Sequence, residues 1–232
     1  MHGIAYDEIH DEFTVTQQFA QAILTFPGGA DGQTPPLRVI QGSRTGLKAP
    51  DRVAVDGVNN EIYIPEQNVL VYDGMAEGNV APKRVIVMPE NGASDVKIDA
   101  LNNLVIVASG GGGGGGETTF LVYDRLAEGR VEPKMTIRGP RSMGGPFAIY
   151  PAKKLIFATN RPVGEALAGP VSYLGVWSYE ESSDGPPLWT IGGPDGVLEM
   201  PRGVTLDVRN MSIIVSDKRL NSILTFRVPE LF

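Results

Sequence analysis

Two histidines and no cysteine among 232 residues leave few side chains able to hold a metal, and three of the candidates recur at similar places. His2, Asp51 and Asp95 each open a short apolar alternation that closes on an aspartate. Three N/O ligands that leave one coordination position open are what a catalytic divalent site needs, because water bound to an ion such as Zn loses its proton near neutral pH; the candidate ion here is Zn or Ca. Arg202, at a corresponding opening further along, would steady developing oxyanion charge if the reaction were hydrolysis of a small ester, lactone or phosphotriester. Arg52, Glu66, Asn160, Arg161 and Asp217 add charged and hydrogen-bonding groups for a bound ligand. A second assignment uses the same residues without an ion: Asp51 pairs with Arg202 and Asp95 with Arg52, as solvated salt bridges worth little each. Two arginines beside a cation also raise its electrostatic cost and favour an anionic or polar ligand.

Other chemistry lacks its parts. With Cys at 0 there is no thiolate site, cysteine nucleophile or disulfide frame. No Gly-x-Ser-x-Gly is present, and neither histidine neighbours a plausible nucleophile. The seven glycines at 110–116 are not followed by Lys-Ser/Thr, so they are no phosphate loop. Lys plus Arg total 20 against 27 Asp plus Glu, and the resulting net charge of −7 has the wrong sign for nucleic acid or an anionic membrane. No apolar run approaches the roughly 20 residues of a membrane span. The first eight residues show neither a basic nor an apolar leader region, which predicts no secretory signal in this stretch and is compatible with a mature exported form.

The elements that must position these residues come from a repeat. Residues 70–86, LVYDGMAEGNVAPKRVI, match residues 121–137, LVYDRLAEGRVEPKMTI, at 11 of 17 positions. The phrases GIAYD, RVAVD, DVKID, FAIYP and GVTLD end at 7, 56, 99, 151 and 207, separated by 49, 43, 52 and 56 residues. Periods near 40–50 with several period-2 strands per unit predict propeller blades rather than a helical solenoid. The expected fold is an all-β propeller, one domain of five four-stranded blades with the last incomplete, in units of about 2–47, 48–92, 93–144, 145–200 and 201–232. Unit two reads as strands at 52–56, 61–65, 68–73 and 83–87, and unit three at 95–99, 103–108, 119–124 and 134–138. Unit four is longer, with loops expanded at 162–170 and 180–187, and unit five stops after three strands.

At 78–86, 50–56 and 59–64, and at Ser216-Asp217 with Asn221-Ser222, the sequence resembles the NHL-type propellers of bacteria. The resemblance covers nearly the whole chain, and its motifs are structural. It implies that the first strand of each blade opens on the face that carries the b–c turns, around an axial mouth where ligands bind. That face would present His2, Asp51-Arg52, Ser94-Asp95, Pro146-Phe147 and Arg202-Gly203, with Gln17-Gln18, Glu66-Gln67, Asn160-Arg161 and Asp217-Lys218-Arg219 from the turns. A more distant positional resemblance, of His2-Gly3 and Asp51, is to gluconolactonase- and paraoxonase-like metal-dependent propellers and to peptidyl-hydroxyglycine lyases. The remaining members of those motifs are absent. Tyr150-Pro151 departs from the Val-Asp pattern, and the glycine run replaces a b–c turn as an expected mobile loop over the mouth.

Four aspartates, Asp7, Asp56, Asp99 and Asp207, end first strands and are expected to bond the turn backbone. His10 is expected in a solvated turn, and Trp177 and Trp189 in the core between blades. The function these readings favour is binding of a small molecule or protein at the mouth and b–c-loop face. The alternative is the metal-dependent hydrolase. Neither nucleic acid nor membrane is an expected partner, and the open third strand of unit five predicts self-association into a homo-oligomer.

Overall fold

A computed structural model of the chain describes residues 3–110, 118–139, 143–160, 172–193 and 195–232. Each repeat folds as an antiparallel meander, its strands taken in chain order. Blade 1 comprises β1 (Ile4–Asp7), β2 (Glu12–Gln17), β3 (Ala22–Pro27) and β4 (Arg38–Gln41). Blade 2 comprises β5 (Ala54–Asp56), β6 (Glu61–Pro65), β7 (Val69–Asp73) and β8 (Arg84–Ile86). Blade 3 comprises β9 (Ala93–Asp99), β10 (Leu104–Gly110), β11 (Thr118–Asp124) and β12 (Met135–Arg138). Blade 4 comprises β13 (Met143–Tyr150), β14 (Leu155–Asn160), β15 (Tyr173–Ser178) and β16 (Trp189–Gly192), and blade 5 comprises β17 (Pro201–Asp207), β18 (Ser212–Asp217) and β19 (Ser222–Arg227). This is the expected five-bladed β-propeller with three strands in its last blade. Among the described residues no helix is long and apolar enough to cross a membrane.

The a–b turns repeat one device. Asp56 accepts the Asn59 N–H at 3.0 Å and its side-chain amide at 2.8 Å. Asp99 does the same with Asn102 at 2.8 and 2.8 Å, and Asp207 with Asn210 at 3.1 and 2.7 Å. In blade 1 His10 takes the asparagine's place, its Nδ1 lying 2.8 Å from Asp7 Oδ2. The residue that follows is left-handed in every blade: Asp11, Asn60, Asn103, Lys154 and Met211, at φ between 48° and 58°. Asparagine adopts this conformation cheaply, whereas lysine and methionine adopt it at a cost that the strand pairing on either side must outweigh.

The chain divides into two units, residues 1–107 with 123–132, and 108–122 with 133–232. In the first, Ile23 and Ile40 of blade 1 pack with Ile62, Ile64, Leu70 and Tyr72 of blade 2. In the second, Phe157, Leu174 and Val176 of blade 4 pack with Ile213 and Val215 of blade 5, and Leu231 closes the cluster. Each such fully buried side chain contributes about 1.5–3 kcal/mol. Trp177 is core, as expected, and Gly175 makes room for it: a Cβ there would sit 2.3 Å from the indole ring. Trp189 departs from expectation. It is 52% exposed, on the outermost strand of blade 4.

Within these units, a residue from the c–d connection of one blade bonds to the outer strand of the blade before it. Gly78 N–H donates to Val39 O (2.7 Å) and its carbonyl accepts from Gln41 N–H (3.1 Å). Gly129 bonds Val85 and Val87 at 2.8 and 2.9 Å, and Ser183 bonds Thr136 and Arg138 at 3.0 and 2.8 Å, in the same way. Charge reinforces the first two clamps. Arg38 pairs with Glu12 and donates to Gly74 O at 3.1 Å. The buried Glu61 receives Arg84 at 2.8 and 2.9 Å, Arg125 at 2.8 Å, Tyr63 at 2.7 Å and Lys83 at 3.1 Å. Burial pushes the Glu61 carboxyl upward, but these donors outweigh it and hold the group down at about 2.

Candidate functional site

The end of blade 5 where its first strand opens and its b–c turn lies holds a depression of about 410 Å³, lined by Arg202, Ser216, Asp217, Lys218, Asn221, Ser222 and Ile223. The register explains the meeting: Pro201 faces Asp217 across the β17–β18 pair, and a bulge between Pro201 and Gly203 turns the strand opening. Gly203 leaves room for Ser216, whose Oγ would lie 2.9 Å from a Cβ.

Asp217 is the anchor of this turn. It is 2% exposed, and its Oδ2 accepts the N–H groups of Glu199 and Met200 at 2.8 and 2.8 Å while Oδ1 accepts those of Arg219 and Leu220 at 3.0 and 3.1 Å. Burial pushes this carboxyl up, and the four backbone donors overcome it, so the group stays ionised below the usual carboxylate range. Its charge is therefore spent on the loop. Arg219 is likewise engaged, 3.3 Å from Glu199. Arg202 and Lys218 are both exposed, and among the described residues neither side chain meets a carboxylate. Two free cations, two hydroxyls and an amide thus surround a depression whose one acid is neutralised from behind. Such a site accepts an anionic group.

The other predicted residues are dispersed. Glu66 is half-buried, and its Oε1 accepts the N–H groups of Lys48 and Ala49 at 2.9 and 3.2 Å, holding the connection into blade 2. Asn160 is buried at the end of β14, opposite Met143 and Tyr173. Asp51 and Arg52 are half-buried and stand against Gly3, where a Cβ would come within 2.6 Å of Asp51 O and 2.8 Å of Arg52 Cα. Asp95 does not open a strand. It sits inside β9, 2% exposed, with Lys97 Nζ at 3.0 Å and the N–H of Val96 at 2.8 Å. Its ionic partner is thus Lys97, not Arg52 as expected.

Among the described residues no three His, Asp or Glu side chains come together to hold a metal. His2 and Arg161 lie outside the described residues, as do the glycines at 111–116 and the expanded loop at 162–170. His10 lies where expected, paired with Asp7 in the a–b turn.

A larger depression of about 720 Å³ adjoins Ala20, Gln21, Gln41, Gly42, Ser43 and Lys48. Its two glutamines form bridges, Gln21 to Lys48 O at 2.9 Å and Gln41 to Ala20 O at 2.8 Å.

Fold and site together define a β-propeller with a cation-lined depression at one blade end. No family model and no curated protein sequence matches this chain. Among solved structures, the hydrazine synthase of Kuenenia stuttgartiensis is similar at 15% identity and a TM-score of 0.65, over 92% of this chain and 54% of that one. A chain of the mitotic checkpoint complex is similar at 13% identity and a TM-score of 0.64, over 97% of this chain and 62% of that one. At such identities the likeness establishes the fold alone, and this chain spans less than two thirds of either neighbour.

Proposed function

We propose that this chain is an NHL-type binding propeller, and that the depression at Arg202 and Lys218 takes an anionic group of a small molecule or of a partner protein. The observation that carries the reading is the disposition of charge: in a chain of net charge −7, this depression keeps two exposed cations while its buried carboxylate is consumed by four backbone N–H groups. A neighbour drawn from a protein complex is in keeping with a binding role. Isothermal titration with inorganic phosphate and with a glutamate-rich peptide tests it. Binding is expected to weaken as salt rises and to fall about tenfold in Arg202→Ala, the loss of one charge-assisted contact. Ligand binding unchanged in that variant, with the melting temperature also unchanged, would sink the reading.

A further inference from the structure

The depression of about 720 Å³ in blade 1 has a composition unlike the rest of the chain. Six glutamines occur in 232 residues, and four of them, Gln17, Gln18, Gln21 and Gln41, stand at this end of the blade. Gln17 and Gln41 both lie opposite Ala22, across the β2–β3 and β3–β4 pairs, and Gln18 and Gln21 belong to the turn between β2 and β3. Ser43 adds a hydroxyl to the lining and Lys48 its one formal charge; among the described residues no carboxylate lines it. Its size falls in the roughly 300–1,000 Å³ range of small-molecule sites.

The chain around it is fixed before anything binds. Gly42 lies against Asn79, where a Cβ would come within 2.5 Å of that side chain, and Asn79 Oδ1 accepts the Arg44 N–H at 2.7 Å. The buried Thr45 donates to Gly42 O at 2.8 Å, and Glu66 holds the N–H groups of Lys48 and Ala49. The bridges from Gln21 to Lys48 O and from Gln41 to Ala20 O tie the turn to this connection and to β4. Each bridge uses one N–H of an amide and sets its plane, leaving a second N–H and a carbonyl oxygen side by side. A donor beside an acceptor is what neighbouring hydroxyls require, since each hydroxyl both donates and accepts.

The b–c turn of blade 5 has the same form with different side chains. Gln17 and Asp217 hold one register position, opposite Ala22 and Ser222, so Phe19 corresponds to Arg219 and Gln21 to Asn221. Gln21 and Asn221 are both left-handed, at φ 51° and 50°. Asparagine takes this conformation readily and glutamine does not. Blade 1 nonetheless keeps glutamine, whose extra methylene carries the amide to Lys48 O, and backbone conformations held at such a cost cluster at ligand sites. Arg219 is paired with Glu199, whereas Phe19 is 94% exposed, more than any other large apolar side chain among the described residues.

We propose that this depression binds a saccharide, whose hydroxyls bond the free amide edges of Gln21 and Gln41, the Ser43 hydroxyl and the Lys48 ammonium while the C–H face of one pyranose ring lies on Phe19. The polar groups come from a turn, a strand end and a connection. That spread suits a ligand with hydroxyls on several sides rather than a nucleobase read along one edge. A pyranose C–H face and a bare phenyl ring are both poorly hydrated, so each gains by covering the other. The site belongs to blade 1 and does not rest on the anion-accepting depression of blade 5.

The probes are cellotetraose, maltotetraose and chitotriose, with adenosine as the competing class, each titrated calorimetrically into the intact chain. At least one saccharide should bind with a dissociation constant on the order of 1 mM or below. Phe19→Ala should weaken that binding about tenfold, the loss of one ring contact, with the melting temperature unchanged. Gln21→Asn should weaken it similarly while holding or raising the melting temperature, because asparagine relieves the left-handed turn; a glutamine that served structure alone would leave affinity untouched. Affinity that survives either substitution overturns the proposal, as does failure of all three saccharides to bind at concentrations about tenfold above that constant, or tighter binding of adenosine. Arg202→Ala should leave saccharide affinity unchanged, so failure here and failure at the anion site are told apart; a loss in that variant overturns the proposal too.

Discussion

Blades 1 and 2 are each joined by charge to the blade that follows, at the place where blade 4 carries an aromatic. The first residue of the outer strand is Arg38 in blade 1 and Arg84 in blade 2, each bonded to a glutamate at the start of the second strand and to a backbone carbonyl of the next blade. In blade 4 that position is Trp189, and the residue starting its second strand is Leu155. An arginine is kept where a neighbouring loop covers it and a glutamate answers it. In blade 4, where no such loop lies above it among the described residues, its place is taken by a side chain whose large apolar surface faces solvent. Blade 3 stands between the two: Ser183 occupies its edge, yet its outer strand starts with Met135 and its second strand with Leu104, so the arginine marks the charged clamps of blades 1 and 2 and not occupancy as such.

Breaking the charged side of this contrast has the largest expected effect. Glu61→Gln keeps the volume but leaves Arg84 and Arg125 without their carboxylate, and should destabilise the fold by about 3–5 kcal/mol, read from urea midpoints. The wild-type protein adds a pH signature. Because the Glu61 carboxyl is held at about 2 when folded and near 4.3 when unfolded, its stabilisation is complete above the unfolded value and is lost as pH falls toward 2. Asp7, Asp207 and Asp217, also held below their ordinary values, act in the same direction. Glu61→Gln should therefore show a shallower acid limb. An unchanged limb would mean that the carboxylate is not what joins blade 2 to blade 3.

The apolar side is broken at Leu231, 3% exposed in the cluster that joins blades 4 and 5. The turn carrying it is pinned by Lys153 Nζ on Phe232 O at 2.7 Å and by the Phe232 ring, 5.2 Å from Tyr150 and 6.4 Å from Phe157. Leu231→Ala should cost about 2–3 kcal/mol, toward the low end for buried leucine because a turn of three residues can re-pack. A loss under about 0.5 kcal/mol, the level of an inert surface change, would show that the aromatic contacts hold the turn without it.

Much of this was legible in the chain because a repeat read five times averages out local ambiguity. The strands of blade 2 fall within a residue or two of their expected bounds, and the aspartates ending first strands do bond their turns. Asp95 was misread because β9 begins earlier, at Ala93, which moves its third residue from a solvent-facing opening into the sheet. Lys97 could have been foreseen as its partner, since residues two apart share one face of a strand. The Glu12/Arg38 and Glu61/Arg84 pairs also left a signal, a glutamate starting the second strand and an arginine starting the fourth in consecutive repeats. No local signal announced that Asp217 is saturated, because two of its four donors, Glu199 and Met200, come from the connection preceding β17.

Trp189 gives the sharpest test of the comparison with the smallest expected effect. Alternation along β16 assigns its side chain to a sheet face, and large aromatics on such faces are normally buried, so the sequence argued for core. Exposure depends instead on the neighbour: the equivalent Arg84 is 9% exposed beneath the loop of blade 3, and Trp189, with no loop above it among the described residues, is 52% exposed. Trp189→Arg places the residue of blades 1 and 2 at this position with neither a glutamate to pair nor a loop to reach. Stability should change by no more than about 0.5 kcal/mol, as for an ordinary surface substitution. The fluorescence spectrum should lose its solvent-exposed component and keep the blue emission of the buried Trp177. A loss of several kcal/mol would mean that Trp189 packs as core in solution, that the edge of β16 is covered there, and that the charged and aromatic joints do not differ in the loop above them.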